Sequence, residues 1–273
     1  MIDSRNKLTV LSEAIGSFTD HSNEAVDYLR DDFTATGAEL IYVGFTKPIN
    51  AIYAELTTPL TAGSGLVVEA WDGSQWSEVS FFDETAGLSR SGFITWDRQG
   101  EESKVAVDGK ELFWVRLNYM SSDPLVVAGL NIVLSDDAQL EKHFPNALDP
   151  RVVPSGFTSH IASHVSARDS IIQRLRIEGY IKYDDTSSVE DVTPWDLLDI
   201  FEFREAATFW ALARIFFNLS DNVDDLWWQK HEEYRKAFEK SFSRARLSID
   251  KDDDGEVDAD EDKIVHRTSR VVR

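Results

Sequence analysis

The sequence predicts an α+β chain of two domains, an N-terminal antiparallel β-sandwich of jelly-roll type followed by a C-terminal helical bundle. Three observations predict it. Short β-prone segments broken by turn dipeptides fill residues 38–134. After residue 150 the apolar pattern changes to helical spacing. The composition, 42% hydrophobic with 8 Trp and 16 Phe in 273 residues, supplies enough apolar material for two cores. The expected division is a β-sandwich domain over 1–145, a linker over 146–156, a helical domain over 157–249, and an acidic loop with a basic arm over 250–273.

The candidate strands are 38–46, 49–58, 65–71, 76–82, 92–96, 111–119 and 125–134. Asp72-Gly73 and Asp108-Gly109 mark tight turns between them, because Gly accepts positive φ without a steric penalty. Along 111–119, Leu112, Trp114 and Arg116 alternate with Phe113, Val115 and Leu117. Both sets are partly apolar, as a central strand requires.

Pro145, Pro150 and Pro154 bracket the linker. A first helix is predicted over 157–178, with Ile161, Val165, Ile172 and Leu175 at helical spacing and Gly179 as its C′ residue. The second begins with Thr193 as N-cap and Pro194 in the first turn. Its stripe holds Leu197, Leu198, Phe201, Ala206, Phe209, Trp210, Ala213, Phe216 and Phe217. The third starts near Ser220-Asp221 and carries Leu226, Trp227, Tyr234, Ala237, Phe238, Phe242 and Ala245 to residue 246. Adjacent helix positions point about 100° apart, so with Trp227 in the core, Trp228 leans to the bundle edge as a candidate partner contact.

Charge is distributed unevenly. The chain has 49 acids against 28 bases, a net −21. Residues 1–150 hold 24 acids and 10 bases, 151–249 hold 16 and 13, 250–262 hold 9 and 1, and 263–273 hold none and 4. Such a field repels phosphate backbones and argues against extensive nucleic-acid binding. The basic segment, with Lys263, Arg267, Arg270 and Arg273, is a candidate interaction arm, with a solvated, frayed terminus as the equal alternative. No basic stretch leading into an apolar run opens the chain and no long apolar run occurs, so neither signal peptide nor membrane span is expected. With no cysteine, disulfides, thiolate metal sites and cysteine nucleophiles are excluded.

One motif carries specific chemistry. Residues 250–261 fit the calcium-binding loop of the EF-hand. Asp250, Asp252 and Asp254 take the first three ligand positions, Gly255 the sharp turn, Glu256 the carbonyl position, Asp258 the next ligand and Glu261 the bidentate close. A hard cation taking about six to eight oxygens needs that arrangement. An acid-rich connector is the plainer reading, but the Gly sits where the loop demands it and a helix is predicted just before it. Lacking a paired second loop, the expected Ca2+ is structural rather than regulatory.

Other signals are weaker. His160 and His164 stand one helical turn apart but lack HExxH or a third ligand, and surface or helix-packing histidines are the better reading. Ser155-Gly156 and Gly63-Ser64-Gly65 match neither a nucleophile elbow nor a phosphate loop, and no enzyme signature is found. Trp71, Trp76 and Trp96 could stack on sugars, although packing within the sandwich is the commoner use of such rings.

Residues 42–53 (YVGFTKPINAIY), 68–76 (VEAWDGSQW), 83–96 (DETAGLSRSGFITW) and 113–117 (FWVRL) together resemble β-sandwich modules of tailed-bacteriophage structural proteins. Residues 167–176 (ARDSIIQRLR), 196–207 (DLLDIFEFREAA) and the acidic loop are similar to the helical adaptor or head-completion proteins of phage necks. The resemblance implies a virion component made in the host cytoplasm and placed at the head-to-tail junction. It implies a homo-oligomeric ring, with the portal protein and neighbouring neck or tail proteins as partners. Typical adaptors lack so large a β domain, so collar, tail-completion and baseplate positions stay open. The alternative is a baseplate or tail-fibre-associated module whose sandwich contacts host carbohydrate.

Overall fold

A computed structural model describes residues 8–26, 32–36, 39–61, 65–96, 102–121, 123–183, 189–197, 199–222, 225–248 and 262–264. The chain is α+β and divides into two compact units, Met1–Ile132 and Val133–Arg273. In the first unit the elements run β1 (Thr9–Ala14), β2 (Ser17–Asp20), α1 (Ser22–Val26), β3 (Phe33–Ala35), β4 (Leu40–Phe45), β5 (Ala51–Thr58) and β6 (Val67–Trp71). They continue with β7 (Trp76–Glu78), β8 (Phe81–Asp83), β9 (Gly92–Trp96), β10 (Val105–Val107), β11 (Lys110–Asn118) and β12 (Leu125–Asn131). These strands form two antiparallel sheets. The seven-stranded sheet has the order β2-β1-β4-β11-β6-β7, with β10 added beside β11, and the five-stranded sheet has the order β3-β12-β5-β9-β8.

Each expected β segment contains a strand, with two differences of extent. The segment 76–82 is two strands, because β7 pairs with β6 in the large sheet whereas β8 pairs with β9 in the smaller one. The chain changes sheets at Val79-Ser80, where Val79 is buried and its N–H still reaches Val68 O. The segment 125–134 stops pairing at Asn131. Strands β1, β2, β3 and β10 were not expected. The β1–β2 turn places Ile15 (φ 52°) and Gly16 (φ 76°) in the left-handed region, a tight hairpin geometry that Asn-Gly would have announced and Ile-Gly does not.

The centre of the large sheet is the β4–β11 pair. Register sets Val115 opposite Val43 and Leu117 opposite Ile41 on one face, and Trp114 opposite Gly44 and Arg116 opposite Tyr42 on the other. Trp114 lies flat on Gly44: a Cβ there would stand 2.5–2.7 Å from three ring carbons. The β10–β11 hairpin, turned at Asp108-Gly109, brings Val105 O to accept the Trp114 indole N–H at 3.1 Å. Leu11, Tyr42, Val107 and Trp114 are buried there, with Phe18, Leu40, Trp76, Val105 and Leu112 half-buried around them.

The second unit holds α2 (Asp137–His143), α3 (Ile161–Ile177), the hairpin β13 (Ile181–Tyr183) and β14 (Val189–Asp191), α4 (Arg204–Leu219), α5 (Leu226–Phe242), and the pair β15 (Arg246–Ser248) and β16 (Asp262–Ile264). The unit begins at Val133 and so includes α2, which the sequence division placed with the β-rich part. Helix α3 ends as expected. Gly179 (φ 88°) donates to Arg176 O and Tyr180 to Leu175 O, the two bonds of a Schellman motif.

The predicted second helix is broken at its start. Thr193 and Asp196 form a capping box around a short 3-10 turn, Pro194–Asp196, and Leu197 is extended. Asp199 then caps a second turn, Ile200–Phe203, before α4 begins at Arg204. Two carboxylate caps in series restart the chain rather than letting one helix run through. Helix α5 starts late because Asp225, not Ser220, accepts the first-turn N–H of Trp228 at 2.6 Å. Rings pair along the antiparallel α4–α5 hairpin: Phe203 with Phe242, Trp210 with Phe238, and Phe216 with Trp227.

A buried polar node ties the entry of this unit to α3. The Asp137 carboxylate accepts from the His160 backbone N–H at 3.1 Å and from His164 Nε2 at 3.1 Å, while Ser135 Oγ lies 2.8 Å from His164 Nδ1. Since a carboxylate only accepts, Nε2 of His164 carries the proton and Ser135 donates to Nδ1. His160 Nε2 donates to Ala147 O at 2.8 Å, leaving its buried Nδ1 without a partner.

Two outcomes follow for stability. Gly44→Ala forces the buried Trp114 ring to move and should cost about 1–3 kcal/mol, read as a lower urea midpoint. Burial pushes the His160 imidazole below its ordinary value, against opposing pulls from Ala147 O and Asp137, and burial lowers His21 likewise. The unfolded chain therefore takes up protons first as pH falls below about 6.5, so stability is full above that value and declines beneath it. His160→Gln should flatten part of that decline in melts between pH 7.5 and pH 5, buffers chosen to bracket a free imidazole near ~6.5.

Candidate functional site

Two surfaces gather chemistry-bearing side chains, one in each unit. On the large sheet, opposite the face bearing Val43, Val115 and Leu117, strand register brings Tyr42, Glu69, Trp76 and Arg116 together. Arg116 grips Glu69 through two parallel bonds, Nε to Oε2 at 2.6 Å and Nη2 to Oε1 at 2.9 Å. Its guanidinium lies 4.7 Å from the Trp76 ring centre, a cation–π arrangement. Trp71 meets Trp76 edge to face at 5.7 Å.

The electrostatics of this face are closed pairs. The Tyr42 hydroxyl donates to Glu13 Oε2 at 2.6 Å, and burial, with the Glu13 carboxylate, pushes the phenol up to about 12. The Glu69 hydrogen bond holds the Arg116 guanidinium above its ordinary value. Burial would raise the Asp20 carboxyl, but hydrogen bonds from Lys110 (2.6 Å) and Ser22 outweigh it and hold the group at about 2. Tyr42, Arg116 and Asp20 are thus all held away from neutrality. What the arrangement offers is shape and aromatic surface.

Of the three Trp residues considered for sugar stacking, Trp96 is buried in β9. Trp71 and Trp76 are half-buried on the face just described. No local window shows Arg116, Glu69 and Tyr42 as their neighbours, because those contacts depend on the pairing of β6 and β4 with β11.

The second surface is the tip of the α4–α5 hairpin. Phe217 is 44% exposed, Leu226 62% and Trp227 36%. Trp228, the expected partner contact, is half-buried, its ring 6.1 Å from Phe217 and 5.1 Å from His231. Trp227, expected in the core, is the more open of the pair and stacks on Phe216 at 5.7 Å. It sits in the first turn of α5, beside the last turn of α4. Adjacent aromatics at 216–217 and at 227–228 cannot all face one core, and that doubling is the sequence signal of an open tip.

The expected calcium ligands Asp250, Asp252, Asp254, Glu256, Asp258 and Glu261 lie outside the described residues, as do Arg267, Arg270 and Arg273. Lys263 is described in its backbone alone, in β16. The flanks correct the helical frame expected around the loop. Helix α5 ends at Phe242, and β15 pairs antiparallel with β16, Arg246 opposite Ile264 and Ser248 opposite Asp262. The helix stops because Ser241 O and Phe242 O both accept the N–H of Ala245, after which buried Leu247 holds the chain extended.

His160 and His164 are buried, and the ring of each is bonded to protein, His160 to Ala147 O and His164 to Ser135 and Asp137. Among the described residues no group of three or more His, Asp or Glu side chains is placed to hold a metal ion. Nor, among them, is any helix long and apolar enough to cross a membrane.

No protein-family model matches the chain. No curated protein matches it either. Among solved structures, a chain described as CpGH89CBM32-6 produced by Clostridium perfringens aligns with a TM-score of 0.29 and 18% identity, covering 48% of this chain and 94% of that one.

Proposed function

We propose that the chain is a non-enzymatic structural protein of a tailed-bacteriophage virion, assembled as a ring in the neck that joins the portal and head to the tail. The two sheets of its first unit pack as a jelly-roll-like sandwich, and the helices of its second unit form an adaptor-like bundle. The observation that carries the reading is the open aromatic tip of α4–α5, with Phe217, Leu226 and Trp227 on the surface of an otherwise strongly acidic chain. Exposed apolar clusters rimmed by polar residues mark protein–protein contact. The residue patterns quoted above supply the phage context.

A second reading rests on the aromatic face of the large sheet. Half-buried Trp71 and Trp76 beside the Arg116–Glu69 pair supply flat apolar rings and fixed polar groups together. That combination suits a saccharide, and it favours a baseplate or fibre-associated module that contacts host carbohydrate.

Quantitative mass spectrometry of purified virions separates the two. Copies equal to the portal ring are expected. Copies equal to fibres or baseplate units would move the assignment to the second reading, and absence from particles would overturn both. Calcium at 250–261 is tested on the intact chain. Millimolar Ca2+ should raise the melting temperature, since a ligand at about a hundred times its Kd adds about 2.7 kcal/mol. Glu261→Gln and Asp250→Ala should each abolish most of the shift, and an unchanged melt in the parent chain would remove the site.

A further inference from the structure

Strand β16, after which the basic segment begins, and the open tip of the α4–α5 hairpin belong to the same unit and stand at opposite ends of α4. Ile264 pairs with Arg246, and the Arg246 N–H reaches Glu202 Oε2 in the turn just before α4. The segment therefore leaves beside the start of α4, whereas Phe217 and Leu226 mark the far end of the antiparallel pair. At about 1.5 Å per residue, the helix from Arg204 to Phe217 spans about 20 Å.

An extended chain covers at most about 3.5 Å per residue. Arg267 and Arg270 thus stop about 10 Å and about 20 Å from Ile264 even when fully stretched. Within one chain Arg270 and Arg273 come level with the tip only when the segment is stretched almost fully. On a neighbouring copy, no such limit applies.

The chemistry of the two surfaces matches. The tip is apolar at Phe217, Leu226 and Trp227. On its acidic side stand exposed Asp221 and the half-buried Asp225, whose carboxylate is held below its ordinary range by backbone N–H groups, first that of Trp228. Arg214, one turn back from Phe217 on α4, and Lys230, one turn on from Leu226 on α5 and paired with Glu233, are cations at its edge. The segment 263–273 carries four bases and no acid, with Val271 and Val272 between its last two arginines.

We propose that the α4–α5 tip of one copy receives the basic segment 265–273 of a second copy of this chain. The arginines face Asp221 and Asp225, and the valines cover Leu226 and Trp227. Such a contact joins two different surfaces, so unless two copies exchange segments reciprocally it is heterologous, and it makes a ring where the rotation closes. It rests on the ring reading above and supplies that reading with its subunit contact.

The absence of cysteine makes a direct test available. Leu226→Cys and Arg270→Cys chains, one of them isotope-labelled, are mixed at equal concentration and oxidised gently. Disulfide pairs of unlike chains should exceed like pairs severalfold, and high salt should remove that excess. Unlike pairs no more abundant than like pairs would overturn the proposal, as would purely intramolecular closure in the Leu226→Cys/Arg270→Cys double variant. In sedimentation velocity, Arg267→Glu/Arg270→Glu/Arg273→Glu should weaken self-association at least tenfold at an unchanged melting temperature. Self-association that survives this variant overturns the docking and leaves the ring reading standing. Absence of the protein from virions removes the neck reading while the cross-link still decides the contact.

Discussion

The second unit depends on one carboxylate. Asp137 reaches α3 at two places a turn apart, through the backbone N–H of His160 and the ring of His164, from a segment that has only just left the last strand of the first unit. With Ser135 bonded to the other side of the same ring, the path from 135 to 164 is closed by buried Ser135, His160 and His164 around a half-buried Asp137. Buried hydrogen bonds to charged acceptors are costly to leave half-made, so this closure fixes where α3 lies. Helix α4 packs on α3 and α5 packs on α4, and the exposed tip inherits its position from that stack.

A different constraint governs the first unit. The large sheet buries residues on both faces of β4 and β11, so it carries a small second core of its own around Trp114. That core exists because position 44 has no side chain and the ring can lie against the strand backbone. Tyr42 and Trp76 then lean on the same cluster, which leaves Arg116 stacked over Trp76 and held by Glu69. The aromatic face is therefore an extension of packing rather than a separate pocket, and its stiffness comes from paired charges.

Much of this architecture was legible in the residues. Alternation and Asp-Gly turns located β4 to β9, β11 and β12, and Gly179 gave the end of α3 its correct stop. The failures have identifiable physical causes. Val79 reads as the middle of one strand, yet it is the point at which the chain exchanges one sheet for the other, a choice made by long-range pairing. Thr193, Asp196 and Asp199 are good caps, and a stripe of apolar residues concealed that they act in series. The aromatic face depends on Arg116 standing opposite both Tyr42 and Glu69, a register that no local window contains. At the hairpin tip, helical periodicity counted Phe217, Leu226 and Trp227 as core because periodicity cannot say where a partner helix ends.

The short ladder of β15 and β16 has a further consequence. Three residue pairs hold together the two ends of the stretch 249–261, whose closure costs about 2 kcal/mol by the logarithmic loop law. Residues 250–262 add nine carboxylates against one lysine, so mutual repulsion works against the ladder as well. Cations, bound or diffuse, relieve that repulsion. The ionic composition of the surroundings is thus thermodynamically linked to the ladder, and through it to the direction in which residues beyond 264 depart.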